Sequence, residues 1–168
     1  LTPLGFIHLG LIKATLIHIP VIFASLMYGP RFGGALGFVF GLLSLITNTM
    51  TPSVLSFAFS PFIPVLGTDK GSLWALVIVF LPRILVGVLP YYIEKKSRQT
   101  WLAALLGSLT NTVLVLGLIG FVFQDAYASA MNIEISAVYK VILGIVTTNG
   151  LAEAALAVGI VTPLYKRF

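Results

Sequence analysis

The sequence predicts an all-α, polytopic bundle of membrane-spanning helices, and three observations carry that reading. Of the 168 residues, 58% are hydrophobic and 9% charged, whereas a soluble domain carries about 25% charged residues. Mean hydropathy is +1.06. The apolar runs, "LWALVIVFLPRILVGVLPYYI" among them, are continuous. At about 1.5 Å rise per residue they are long enough to cross a hydrocarbon layer about 30 Å thick. Strands crossing lipid would alternate apolar and polar side chains, so helices do the spanning.

Five spans follow from these runs, at about 19–29, 32–48, 72–93, 100–123 and 137–164, and together they read as one integral membrane domain over 1–168. The first is short and reaches the second through a "GPR" turn; the third closes on "EKKSR" and the last on "YKRF". Lys and Arg collect in cytoplasmic loops. If the spans alternate, Arg31, Lys95, Lys96, Arg98, Lys166 and Arg167 share one side, while Lys13 and Lys70 lie on the other. Lys140 falls near a helix end, from which it can snorkel. The C-terminus is therefore expected in the cytoplasm and Leu1 outside. An external start at a residue other than Met leads us to expect one more span upstream, with "LTPLGFI" as its outer end. The intact protein would then have six spans and two cytoplasmic termini.

The net charge of +5 does not point to nucleic acid. Its basic residues border apolar runs and form no face interleaved with aromatics. With zero cysteines, disulfide and thiolate chemistry are excluded.

Between the second and third spans, Pro52, Pro61 and Pro64 punctuate a connection too apolar for a solvated loop. It is expected to fold back on the outer mouth of the bundle as a re-entrant or capping segment, where protein satisfies its backbone. Gly33, Gly37 and Gly41 recur every four residues, and Ala103 with Gly107 and Ala155 with Gly159 repeat the pattern. Such small-residue stripes let helices approach closely; the alternative is a surface for a partner membrane subunit.

Polar groups at membrane depth are costly, about 2.5–3.5 kcal/mol for an Arg or Asp at a helix centre. Arg83 follows Pro82 in the third span, and that proline cannot donate an N–H, so a carbonyl is freed nearby. Asn111 lies in "SLTNTVLVL" of the fourth span, while Asn149 and Glu153 stand four residues apart in the last. A structural network, with Arg83 paired to Glu153 and the Asn side chains bridging helices, is one reading. The other is a pocket for a small water-soluble ligand, and it gains weight because these groups recur near the middle or outer half of three consecutive spans. A scaffold would keep them at helix ends.

His8 and His18 have no third ligand at useful spacing, so they are expected to form hydrogen bonds at the mouth, and no metal or cofactor is expected. The chain has no H-E-x-x-H, G-x-S-x-G or G-x-x-x-x-G-K-[ST] motif, so neither catalysis nor an ATP motor is visible in it. We therefore expect a membrane protein that binds a small ligand, not an enzyme. Two alternatives remain: a membrane-embedded enzyme using Glu153 as acid or base, and a structural subunit packing on partner helices.

The stretch "ATLIHIPVIFASLMYGPRFGGALGFVFGLLSLITN", with "PRILVG", "SLTNT" and "NGLAEA" downstream, resembles the substrate-binding S components of energy-coupling factor (ECF) vitamin transporters. The resemblance covers essentially the whole chain, with the first family helix largely missing. It implies a six-span protein of the bacterial cell membrane that captures a vitamin with high affinity. Such a protein releases its ligand inward when joined to a transmembrane coupling subunit and a pair of cytoplasmic ATPases. It also implies ligand contacts near His18, in the loop carrying Thr51, Phe57 and Phe59, and at Arg83, Asn111, Asn149 and Glu153.

The set "HIPVI", "NTVLVL" and "NGLAE" is most similar to S components of the pantothenate type. A guanidinium for the carboxylate and Asn side chains for the amide and hydroxyls suit that ligand. Glu153 would suit a ligand with a basic nitrogen, which keeps pyridoxine and hydroxymethylpyrimidine as alternatives.

Overall fold

The computed structural model describes residues 6–9, 12–15 and 17–167, with side chains from 17 onward. Residues 1–5 of the expected upstream span lie outside this set. Phe6 and Ile7, read from sequence as the end of that span, instead belong to strand β1 (Phe6–Leu9), which pairs antiparallel with β2 (Ile12–Thr15). His8 stands opposite Lys13 in that register.

The hairpin leads into helix α1 (His18–Tyr28), followed by α2 (Pro30–Met50), α3 (Trp74–Ser97), α4 (Thr100–Val122), α5 (Gln124–Met131), α6 (Val138–Ile145) and α7 (Leu151–Tyr165). Helices α2, α3 and α4 are long and apolar enough to cross a membrane, and so is the continuous run Ile135–Tyr165 that contains α6 and α7. Helix α1 has 11 residues, about 16 Å of axial rise, and covers half a bilayer. The turn after it is set by Gly29 at φ +89°, a conformation open to glycine, and by Pro30 in the first turn of α2.

The glycine stripe faces inward. A Cβ on Gly33 would lie 2.1 Å from the Gly87 carbonyl oxygen, and one on Gly37 would lie 2.2 Å from that of Arg83. A Cβ on Gly87 would in turn lie 1.9 Å from the Gly33 carbonyl oxygen. Helices α2 and α3 thus meet backbone to backbone, and this stripe serves packing within the chain. Gly107 is likewise closed in by Pro90 and Ile22. The Ala155–Gly159 pair is different: both are exposed, and a Cβ on Gly159 would meet nothing within 4 Å.

Chain direction sorts the charges. The end formed by the start of α2, the α3–α4 turn and the end of α7 carries Arg31, Lys95, Lys96, Arg98, Lys166 and Arg167 against Glu94. At the opposite end Asp69, Asp125 and Glu134 face Lys70 and Lys140; the remaining cation, Lys13, is on β2, while Arg83 and Glu153 lie inside. The whole net charge of +5 therefore belongs to one end.

At the other end, the connection between α2 and α3 folds back into the bundle, as its apolar composition predicts. Ser56, Phe57, Ala58 and Ser60 are buried. The segment is tied to the last turn of α2 by hydroxyls. Ser56 Oγ donates to Asn48 Oδ1 at 2.8 Å, and the Thr49 and Ser60 hydroxyls are 2.7 Å apart. Phe57 packs edge-on against Phe123 in a cluster that includes Ile78, Ile119, Tyr127 and Val138.

Candidate functional site

Arg83 is 7% exposed. It lies nine residues into α3, and a helical side chain leans back toward the N-terminus. Its Nη1 accordingly reaches the Ile78 carbonyl at 2.7 Å. That acceptor has a specific origin. In an unbroken helix the N–H of residue 82 would bind the carbonyl of residue 78, and Pro82 has none. The guanidinium fills the gap its neighbouring proline leaves.

The same head sits over two aromatic rings, 5.6 Å from the centroid of Phe40 on α2 and 5.2 Å from that of Phe59 in the re-entrant segment. Its contacts are thus a carbonyl and two rings. Among the described residues it forms no ion pair, so the Arg83–Glu153 pairing entertained from sequence is not what holds it. Nε is buried with no hydrogen-bond partner.

A second polar group spans α1, α4 and α7. His18 Nε2 and Ser108 Oγ are 2.9 Å apart, and Thr112 Oγ1 donates to Glu153 Oε2 at 3.2 Å. Ser108 and Thr112 are one helical turn apart on α4, so one face of that helix supplies both links. All four residues are buried. Between them in sequence, Asn111 buries an Oδ1 without a hydrogen-bond partner.

Asn149 lies in a π-helical turn, Val146–Gly150, that joins α6 to α7. The hydroxyls of Thr147 and Thr148 donate back to the carbonyls of Leu143 and Gly144 there. Such widened turns are frequent at functional sites because they re-aim side chains and loosen the backbone ladder. Strand β2 approaches this turn and α7.

The sequence-derived residues therefore divide. Arg83 and Phe59 are brought together; His18 and Glu153 are tied to α4 beside Asn111; Asn149 marks the π turn. Phe57, 1% exposed, is a hydrophobic anchor of the re-entrant segment. Thr51 is exposed, and its hydroxyl donates to the Thr47 carbonyl one turn back at 2.8 Å. Sequence reasoning missed Phe40, Ser108, Thr112 and the π turn. Thr112 had a signal, since it flanks Asn111 in the polar stretch "SLTNT" of an otherwise apolar span.

The fold and this interior define a multi-pass helical membrane protein whose hydrogen-bonding groups are gathered inside the bundle. The family model described as "ECF transporter, substrate-specific component" matches residues 1–165. The chain belongs to that family, and is thus a substrate-specific component of an ECF-type transporter. It is 44% identical over 156 residues to the pantothenic acid transporter PanT of Lactococcus lactis subsp. cremoris (strain MG1363), covering 91% of this chain and 76% of that protein.

Proposed function

We propose that this chain is the high-affinity pantothenate-capturing subunit of an ECF importer, with its basic end in the cytoplasm. The 44% identity to a pantothenic acid transporter supports the choice of vitamin. One observation carries the ligand chemistry: a buried guanidinium held by a carbonyl and two rings, with donors unspent. A carboxylate is the natural counter-ion for it, and a fork of N–H donors binds a carboxylate more strongly than it binds a neutral acceptor.

In this reading Arg83 takes the ligand carboxylate, while Asn111 and Asn149 take its amide and hydroxyls. Glu153 is occupied in part by Thr112 and accepts a ligand hydroxyl. Thr51 and Phe57 belong to the re-entrant segment that covers the entrance; His18 braces α1 against α4 beneath the ligand. With no nucleotide-binding loop in the chain, release inward draws on a transmembrane coupling subunit and paired cytoplasmic ATPases. The test is calorimetric titration of the purified protein with pantothenate and with pyridoxine. We expect saturable binding of pantothenate, and at least a tenfold loss in Arg83→Ala while the variant remains folded in detergent. Binding of pyridoxine instead, or unchanged affinity in the variant, would overturn the assignment.

A further inference from the structure

We infer that Phe40 and Phe59 are positioning residues that make the buried cation selective for a carboxylate; the inference rests on the pantothenate reading. The argument starts from what a buried Arg needs. A charge removed from water must be compensated, and the usual means is a protein carboxylate. Here the compensation comes from ring faces 5.6 Å and 5.2 Å away and from one freed carbonyl.

The difference matters for recognition. A carboxylate partner would consume the N–H donors and cancel the charge a ligand anion seeks. Ring quadrupoles attract the cation without cancelling its unit charge. Nε is left buried and unpartnered, which is unfavourable until an acceptor arrives. The two rings also come from different parts of the chain. Phe40 is on α2, fixed against α3 by the glycine contacts, whereas Phe59 is on the re-entrant segment. Phe59 can hold the guanidinium in register only while that segment is seated, so the segment and the charge are coupled.

The predicted signature is a loss confined to the anionic ligand. Pantothenate and pantothenol differ in having a carboxylate or a hydroxymethyl at the same terminus. Phe59→Leu keeps apolar bulk and removes the quadrupole; Phe59→Trp restores and strengthens it. We expect Phe59→Leu to weaken pantothenate binding about fivefold to tenfold and to leave pantothenol within about twofold, with Phe59→Trp recovering wild-type discrimination. Phe40→Leu should behave as Phe59→Leu does, and it supplies the readout if the Phe59→Leu protein does not fold. Equal losses for both ligands, or no loss for either, would show that the rings merely pack and would overturn the inference while leaving the pantothenate assignment intact. Failure of the unaltered protein to bind pantothenate would remove that assignment, and this inference with it.

Discussion

Replacing Gly37 by alanine adds one methyl group where α2 and α3 meet backbone to backbone. The new Cβ would lie 2.2 Å from the Arg83 carbonyl oxygen, 2.8 Å from its carbonyl carbon and 2.9 Å from Ile84 Cα. Ordinary contact begins at 3.4 Å, so α2 and α3 must separate by about 1.2 Å there. The obstructing atoms are backbone, which no rotamer change can move aside. Overpacking of this kind costs about 3 kcal/mol, of which the better helix propensity of alanine returns about 1 kcal/mol. Gly117 provides the control. It is inside α4, more than a turn from its end, and exposed, and a methyl group added there would meet nothing within 4 Å, so Gly117→Ala gains the propensity term alone. Equilibrium unfolding in mild detergent should separate the two variants by about 3 kcal/mol. Because Gly37 abuts the residue that carries the guanidinium, its alanine variant should also lose pantothenate affinity. Equal stability of the two variants would refute the claim that the stripe sets the α2–α3 distance.

Two further outcomes follow from buried polar groups. Thr112→Val leaves the Glu153 carboxylate without its 3.2 Å donor and should lower ligand-free stability by about 2 kcal/mol, which Thr112→Ser restores; thermal unfolding reads both. Tyr127 buries a hydroxyl with no hydrogen-bond partner, so Tyr127→Phe should be neutral or stabilising by up to about 1 kcal/mol. Burial also raises the Tyr127 phenol above its ordinary value. Folding therefore resists ionisation of this group: as pH rises past the ordinary tyrosine value the unfolded chain loses its proton first, which draws the protein toward unfolding, so Tyr127→Phe should blunt alkaline unfolding.

Four spans were readable because an uninterrupted apolar run has one solution in lipid, and four of the five runs meet α2, α3, α4 and Ile135–Tyr165 within a few residues; the first run meets α1, which is too short to cross. Helix α5 was not, since "QDAYASAM" is short and mixed in polarity. The freed carbonyl beside Pro82 could be foreseen from proline's missing donor. That Arg83 itself would fill the gap depends on side-chain direction and on what surrounds it, which one-dimensional spacing does not contain. The same limit applies to Phe57 and Phe59, two residues apart in sequence: one is in the apolar cluster and the other faces the cation. The π turn depends on packing, and "VTTNG" has no pattern that distinguishes it from a regular turn.

The two paired strands ahead of α1 bear on how this side of the molecule meets its surroundings. Among the described residues, no further strand matches the amides and carbonyls on the outer edges of this hairpin. Strand β2 touches the π turn, near the middle of the Ile135–Tyr165 run, at a depth where acyl chains offer no hydrogen bonds. Those edges can be solvated only by a hydrated funnel or by further polypeptide. The hairpin thus brings backbone hydrogen-bonding groups down beside the α6–α7 junction, and whatever meets its edges must reach that depth too.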